Sequence, residues 1–166
     1  MAANMELAFS EHADVYAAWV QLNTAIKASM DLRRYELATL AAAKRLRSSY
    51  CCLAHGKVFM ERFEPPVLDI MRDRESAGLD EVDLAIMAFA ERIVDDACAI
   101  EEADRDRLRA LGLTDKDIMD VTLAASARCF FSKTLDAVGA QPDAHFRELD
   151  PELLDVLVVG REIAEV

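Results

Sequence analysis

The sequence predicts an all-α fold of about seven to eight helices, in a single domain spanning residues 1–166. Three observations support this. The chain contains only 5 glycines and 4 prolines, fewer than a fold of many short strands needs for its turns. Apolar residues recur at spacings of three and four, as along Val15, Trp19, Leu22 and Ile26. No stretch alternates apolar and polar residues over six positions, and 53% hydrophobic residues suffice for a core.

The boundaries of the helices follow from capping residues. Ser, Asp or Thr precedes most of the apolar patterns and can accept hydrogen bonds from the first turn. Glycines at 78, 112 and 139 suit helix ends. The predicted helices cover residues 10–29, 32–47, 49–63, 65–77, 81–96, 101–111, 115–139 and a segment from 151 to near the C-terminus.

The charge and the apolar runs exclude several functions. The net charge of −12 would repel phosphate backbones, so we expect no nucleic-acid partner. The longest apolar run, Leu84–Ala90, is too short to cross a membrane, and no secretory signal is visible. Four cysteines, two of them adjacent, do not resemble a disulfide framework. We therefore expect a cytoplasmic protein without a membrane partner.

Residues 32–60 have a charge balance opposite to that of the whole chain. This window contains one acid, Glu36, and also the adjacent Cys51 and Cys52 and one of three histidines, His55. Positive charge and an imidazole near a thiol favour the thiolate. The basic residues of the window are Arg33, Arg34, Lys44, Arg45, Arg47 and Lys57.

Helical spacing brings three of these residues into a candidate site. If Ser48 is the N-cap, Cys51 is the third helical residue, where free backbone N–H groups stabilise an anion. His55 lies one turn further on the same face. Glu36 belongs to the preceding helix, on an apolar stripe that predicts a half-buried carboxylate with a raised pKa, hence a better base. Glu36, Cys51 and His55 are therefore the candidate catalytic residues, as a proton relay that ends in a thiolate.

These residues lie in a recognisable pattern. Residues 35–43, YELATLAAA, followed by residues 48–55, SSYCCLAH, resemble the signature of the AhpD-like alkylhydroperoxidases in the carboxymuconolactone decarboxylase superfamily. That signature is a glutamate followed by C-x-x-C-x-x-x-H. Its glutamate, second cysteine and histidine correspond to Glu36, Cys51 and His55. Residues 83–90, 111–118 and 135–139 resemble the downstream half of the peroxidase-related branch, so the resemblance covers roughly residues 10–145.

The sequence departs from the signature at two supporting positions. Ser48 stands where the family has the first cysteine, which resolves the oxidised thiol and contacts the reductant. Tyr50 stands where the family often has a histidine. Cys52 cannot replace the missing cysteine, because a disulfide between adjacent residues is too strained for a helix. The resemblance implies an AhpD-like helical bundle that assembles as a homo-oligomer, a trimer or a hexamer.

The function implied by the resemblance is reduction of hydrogen peroxide or small organic hydroperoxides at Cys51. An external thiol would serve as reductant, and no metal or organic cofactor is needed. One alternative is a lyase of the decarboxylase branch, with Arg33, Arg34 or Lys44 holding a small carboxylate. Another is a non-catalytic member of the family. Zinc is disfavoured, because Cys51, Cys52 and His55 lack a second ligand pair.

Other reactive or aromatic side chains have simpler interpretations. Cys52, Cys98 and Cys129 are expected to be ordinary packed residues, with Cys98 and Cys129 on other predicted helices. His12 and His145 are expected at the surface. The large aromatic residues are expected in the core or at a subunit interface, where some of them line an apolar pocket. They are Trp19, Phe59, Phe63, Phe130 and Phe131.

Overall fold

The computed structural model describes residues 2–165 and confirms the all-α class. Within this range the chain forms nine α-helices, and three short 3-10 segments at 10–12, 97–99 and 144–148. The helices are α1 (Asn4–Ala8), α2 (Ala13–Ser29), α3 (Leu32–Arg45), α4 (Ser49–Arg62), α5 (Val67–Asp73), α6 (Glu81–Asp96), α7 (Glu102–Ala110), α8 (Asp115–Ala137) and α9 (Pro151–Leu157).

Capping side chains begin several helices where the sequence predicts them. Asp31 accepts a hydrogen bond from the backbone N–H of Arg34, and Asp80 from that of Asp83. Thr114 and Asp117 form a reciprocal capping box at the start of α8. These caps satisfy N–H groups that have no partner within the helix, so they fix the starts of α3, α6 and α8.

Some predicted boundaries are wrong. Helix α3 ends at Arg45 rather than residue 47, because Arg47 adopts a left-handed conformation (φ 57°) that ends the helix. Residues 65–77 form only the short α5, because Pro66 serves as its N-cap. Residues 10–12 are a 3-10 turn rather than helix, α1 is an additional short helix, and Cys98 lies in the 3-10 turn after α6. Helix α9 stops at Leu157, and an irregular segment follows it.

Helix α3 is the centre of the fold. It packs against α4, α6 and α8, and every residue from 35 to 43 is buried. A helix enclosed on all sides must be apolar around its whole circumference, and the alanines at 38 and 41–43 allow close approach of the neighbouring helices. The charged Glu36 lies inside this apolar segment, so the core itself contains one end of the candidate site.

Helix α2 packs mainly on α8 and covers the outer side of the bundle. Its predicted stripe is only half buried. Trp19 and Ile26 face the core, whereas Val15 and Leu22 are 41% and 51% exposed. At 100° per residue the two pairs lie on opposite edges of the stripe, and only one edge meets the bundle. No helix between residues 2 and 165 is long and apolar enough to cross a membrane.

Candidate active site

A cavity of about 240 Å³ lies between α1, α2, α4 and α8, with one wall formed by the start of α4. Each of α2, α4 and α8 contributes both polar and apolar side chains to the wall, and Cys51, His55 and Arg128 come from α4 and α8. Its lining residues are Met5, Tyr16, Trp19, Val20, Asn23, Thr24, Tyr50, Cys51, Ala54, His55, Arg128 and Phe131. Two of the three residues predicted to be catalytic, Cys51 and His55, therefore share one cavity.

Cys51 occupies the predicted position, the third residue of α4 after the N-cap Ser48. Its side chain is 1% exposed. The sulfur accepts a hydrogen bond from Ser132 Oγ at 3.1 Å and one from Arg128 Nη1 at 3.5 Å. Two donors and the N-terminal end of a helix therefore surround this sulfur, an environment that favours an anion.

Arg128 is the cation of the site, and sequence reasoning missed it. It is 3% exposed, its Nη2 donates to Asn23 Oδ1 at 3.4 Å, and its guanidinium lies over the rings of Trp19 and Phe131. Burial alone would lower the pKa of Arg128, but the nearby Cys51, Tyr35 and Glu36 together raise it. The guanidinium therefore stays charged.

A signal for Arg128 is present in the sequence. It is the one basic residue between Met119 and Ser132, an otherwise largely apolar part of α8, and Ser132 follows one turn later on the same face. An arginine within an apolar helical segment is expected to need a buried partner. The sequence does not tell which partner, because Cys51 is 77 positions away.

The cations predicted from the 32–60 window lie elsewhere. Arg33 pairs with Asp83, Arg34 pairs with Asp117, and Lys44 donates to the carbonyl oxygen of Met71. None of the three lines the cavity. The positive charge beside Cys51 therefore comes from α8, not from the charged window.

Glu36 and His55 form a direct pair. Glu36 is fully buried, its Oε2 lies 2.6 Å from His55 Nδ1, and Lys27 Nζ lies 3.5 Å from Oε1. Burial favours a raised pKa for Glu36, but the hydrogen bond and charge of His55, with Lys27, lower it overall. The predicted half-burial and raised pKa are therefore wrong, because a partner for the carboxylate exists inside the core.

The protonation of His55 follows from the same surroundings. Burial and the charge of Arg128 lower the pKa of His55, and they outweigh the opposing effect of Glu36. Near neutral pH the imidazole is neutral and its Nδ1–H donates to the carboxylate of Glu36. This tautomer leaves the lone pair of Nε2 available as a proton acceptor.

The predicted relay is divided into two parts. Glu36 and His55 form one part, and Arg128, Ser132 and Cys51 form the other. Among the described residues, no hydrogen bond joins His55 to the Cys51 sulfur, whose donors are Arg128 and Ser132 on α8. His55 and Cys51 nevertheless line the same cavity. A proton passing between them therefore needs a molecule in that cavity.

Tyr50 and Ser48, the two positions at which the sequence departs from the family signature, lie in different surroundings. Tyr50 lines the cavity, its hydroxyl donates to Asp143 Oδ2 and accepts from the backbone N–H of Met5, and burial raises its pKa. Ser48 is the predicted N-cap of α4, but its side chain makes no capping hydrogen bond. Among residues 2–165 its buried hydroxyl has no close hydrogen-bond partner, although it partly offsets the raised pKa of Asp136. Ser48 does not line the cavity.

The segment after α9 encloses position 48. The backbone N–H of Gly160 donates to Ser49 Oγ at 2.9 Å, and Arg47 Nε donates to the carbonyl oxygen of Val159. Gly160 lies so close that an added Cβ would be 2.0 Å from the carbonyl oxygen of Arg47. Position 48 is therefore closed to solvent, and Ser48 lies beside the cavity rather than in its wall.

The other thiols have no comparable surroundings. Cys52 is fully buried in the core, and burial strongly raises its pKa. Burial also raises the pKa of the half-buried Cys129, and Cys98 is exposed. Between residues 2 and 165, no group of three or more His, Cys, Asp or Glu side chains is placed to hold a metal ion.

The remaining predicted residues lie mostly as expected. His12 and His145 are exposed. Trp19 and Phe131 stack with ring centroids 4.6 Å apart and line the cavity, and Phe59 lies in the core. Phe130 packs against Trp19 but remains 46% exposed.

Several solved structures share this helical architecture. No family model and no curated protein matches the chain. An uncharacterized peroxidase-related protein from Ralstonia eutropha JMP134, described as an alkylhydroperoxidase AhpD core, matches with a TM-score of 0.80 and 19% identity over 97% of this chain and 84% of that one. The chain has the AhpD-like fold. The helical bundle implied by the sequence resemblance is therefore confirmed.

Two further structures have this fold. An uncharacterized peroxidase-related protein from Silicibacter sp. TM1040 matches with a TM-score of 0.76 and 22% identity, over 85% of this chain and 76% of that one. A variant of the debrominase Bmp8, in complex with 2,3,4-tribromopyrrole, matches with a TM-score of 0.78 and 16% identity over 95% and 83% of the two chains. The fold of this chain is thus shared with uncharacterized peroxidase-related proteins and with a debrominase.

Proposed function

We propose that the protein is a thiol-dependent reductase of hydroperoxides, with Cys51 as the peroxide-reactive thiol. The observation that supports this most strongly is the position of the Cys51 sulfur, between Arg128 and Ser132 and in the wall of a cavity. A thiolate is the nucleophilic form of cysteine, and a buried guanidinium with a hydroxyl donor favours that form.

The oxidation step balances with groups in the cavity. His55 Nε2 accepts the thiol proton through a water molecule or the substrate. The Cys51 thiolate attacks the terminal oxygen of the hydroperoxide, so that an S–O bond forms as the O–O bond breaks. His55 then gives the proton to the departing oxygen, which leaves as an alcohol or water. Glu36 stabilises the imidazolium in between, and the product at Cys51 is a sulfenic acid.

The reduction step requires an external thiol. One thiol molecule attacks the sulfenic acid, releases water and forms a mixed disulfide with Cys51. A second thiol molecule releases it as a disulfide and restores Cys51. Ser48 cannot carry out the resolving step, since it has no thiol. We expect a small thiol that enters the cavity, because position 48 is enclosed by the segment after α9.

Peroxide consumption with a small thiol such as dithiothreitol tests the proposal. The Cys51→Ser variant should lose the activity, and Cys52→Ser, its neighbour in the core, should retain it. Glu36→Gln should slow the reaction by about 100-fold, the lower range for the loss of acid–base assistance. Mass spectrometry with a sulfenic-acid trap should find the adduct on Cys51. Unchanged turnover in Cys51→Ser would refute the proposal, and no turnover in the unaltered protein would favour the non-catalytic alternative.

A second candidate is reductive removal of a halogen from an aromatic ring. The stacked Trp19 and Phe131 in the cavity wall favour a flat ligand, and the debrominase with this fold was solved with a brominated pyrrole. In this reaction Cys51 takes the halogen from carbon, a proton replaces it, and a thiol co-substrate then displaces the halide to leave a disulfide. Release of bromide from a bromopyrrole, lost in Cys51→Ser, would support this candidate. The lyase alternative loses the residues predicted to hold its carboxylate, because Arg33, Arg34 and Lys44 lie outside the cavity.

We also propose that the chain forms a homo-oligomer, a trimer or a hexamer, through α2 and α8. These two helices pack against each other and expose large apolar side chains on their outer faces. Exposed apolar surface of this kind is typical of subunit interfaces. The exposed residues are Val15 and Leu22 on α2 and Met119, Leu123 and Phe130 on α8.

A further inference from the structure

We infer that the cavity beside Cys51 binds a small carboxylate with a flat apolar body, held by the guanidinium of Arg128. The inference rests on the proposed function in one respect, because the ligand would occupy the cavity proposed for the substrate. It goes further in naming a charged group that the ligand must carry and the residue that recognises it.

Arg128 has an unpaired donor. It is 3% exposed and lines the cavity, yet among residues 2–165 its buried Nε has no hydrogen-bond partner. Its Nη1 and Nη2 make only long contacts, with the Cys51 sulfur at 3.5 Å and with Asn23 Oδ1 at 3.4 Å. A buried donor left unpaired is costly, so native proteins rarely retain one without a ligand or a water molecule to satisfy it.

As long as Cys51 is a neutral thiol, the charge of Arg128 is also uncompensated. Among the described residues, no carboxylate forms a salt bridge with it, and the carboxylate of Glu36 is already bound to His55 and Lys27. Buried charges are normally paired with an opposite charge. An anion in the cavity would supply both the missing charge and the missing acceptor.

The shape of the donor selects the anion. A guanidinium presents parallel N–H groups along one edge, and a carboxylate accepts two such bonds at once. Trp19 and Phe131 stack on each other beside Arg128, and Tyr16 and Val20 extend this apolar surface. The volume of about 240 Å³ lies below the range of about 300–1,000 Å³ that is typical for drug-sized ligands. A carboxylate on a single ring fits the parallel N–H groups of Arg128, the apolar aromatic surface and the small volume of the cavity.

Trp19 makes the inference directly testable. It is the only tryptophan in the chain, and it lies in the cavity wall next to Arg128. Titration of the unaltered protein with benzoate should therefore give a saturable change in tryptophan fluorescence. Benzamide, a neutral molecule of nearly the same shape, should bind about tenfold more weakly or worse, because a hydrogen bond to a charged group is lost.

Variants locate the binding site. Arg128→Met should abolish benzoate binding, and Arg128→Lys should weaken it, since a lysine keeps the charge but loses the paired N–H edge. Arg105→Lys, on the exposed surface of α7, is the matched control and should bind benzoate like the unaltered protein. Calorimetry on the same samples checks that the fluorescence change reports binding.

Each outcome supports or overturns the inference. Equal affinity for benzoate and benzamide in the unaltered protein would overturn it, whether or not the Arg128 variants fold. No saturable benzoate signal, or unchanged binding in Arg128→Met, would also overturn it. Benzoate binding in a protein that reduces no peroxide would support this inference and count against the proposed reductase activity. Peroxide reduction without benzoate binding would do the reverse.

Discussion

The guanidinium of Arg128 lies against the sulfur of Cys51, with Nη1 3.5 Å from Sγ. The two residues lie on α8 and α4, and both are almost completely buried. A cation in a low-dielectric environment attracts an anion more strongly than one in water. The contact therefore favours a charged pair, because a Cys51 thiolate and the buried guanidinium of Arg128 would compensate each other's charge.

The first prediction concerns alkylation. Cys51 should react with iodoacetamide at least about tenfold faster than Cys52 near neutral pH, because Cys51 has donors at its sulfur and burial strongly raises the pKa of Cys52. The two cysteines are adjacent and almost equally buried, so Cys52 is a matched internal reference. Peptide mapping after short exposures measures both rates.

Two controls complete the alkylation experiment. Labelling of the unfolded chain corrects for differences in intrinsic reactivity between the cysteine-containing peptides. The exposed Cys98 gives the labelling rate of a thiol that the reagent reaches without entering the protein interior. Arg128→Met should slow the labelling of Cys51 and leave that of Cys98 unchanged. Equal rates for Cys51 and Cys52 in the folded protein would remove the physical basis of the site.

The second prediction concerns stability and pH. The pKa of His55 in the folded chain lies below its ordinary value of 6.5, mainly because of burial. Below pH 6.5 the unfolded chain therefore binds a proton at His55 that the folded chain does not bind. The free energy of unfolding should fall as the pH falls through this value and continue falling down to the lower folded pKa. Glu36, whose folded pKa is also lowered, adds a loss in the same direction below its ordinary value of 4.5.

Urea unfolding at a series of pH values measures this dependence. The His55→Asn variant is less stable at pH 7, but its stability should change much less between pH 7 and pH 5.5. His12→Asn is the matched control, because His12 is exposed and should leave the slope unchanged. A His55→Asn variant with the same slope as the unaltered protein would show that His55 is not buried in its neutral form.

The fold could be predicted from the sequence to a large extent because its signals are local. Apolar spacing together with capping, proline and glycine residues predicts eight of the helices, and the caps at Asp31, Asp80 and Thr114 fix the starts of three of them. The errors lie where the backbone conformation of one residue determines the end of a helix, as at Arg47, or where a helix is too short to show a periodic pattern, as at α1.

The candidate site could be predicted only in part. Cys51, His55 and Glu36 are recognisable from spacing and from the resemblance to a known motif. The protonation state of Glu36 could not be predicted, because it depends on contacts of the carboxylate with Lys27 and His55 that form only in the folded core. Arg128 and Ser132 come from a helix about 80 residues away in sequence, so no local pattern associates them with Cys51.

The third prediction concerns assembly. If α2 and α8 form the subunit interface, a charge at the exposed Leu22 or Leu123 should disrupt it, since burying an unpaired carboxylate is costly. Light scattering of Leu22→Glu and Leu123→Glu should show the 18.5 kDa monomer. Val138→Glu places the same charge on a more exposed apolar residue at the end of α8 and should remain oligomeric. An unaltered protein of 18.5 kDa at every concentration would contradict the prediction.

The last prediction concerns position 48. Ser48 directly precedes the first turn of α4, its carbonyl oxygen accepts from the backbone N–H of Cys52, and its buried hydroxyl has no close hydrogen-bond partner among the described residues. A thiol of similar size should therefore replace this hydroxyl with little loss of stability, since no close hydrogen bond is broken and only a weak interaction with Asp136 is lost. The three-residue spacing to Cys51 suits a disulfide. Peroxide treatment of Ser48→Cys should form that bond, visible by mass spectrometry as the loss of two hydrogens and two free thiols.

Turnover distinguishes a structural disulfide from a catalytic one. With a dithiol reductant, Ser48→Cys should consume peroxide about tenfold faster, because an intramolecular thiol replaces collision with an external one. Ser48→Ala is the matched control. It removes the same hydroxyl without adding a thiol, so it should give neither the bond nor the gain. A disulfide in Ser48→Cys without faster turnover would mean that attack of a resolving thiol on Cys51 does not limit the reaction. If the disulfide fails to form in a folded Ser48→Cys protein, the start of α4 does not bring position 48 within reach of Cys51.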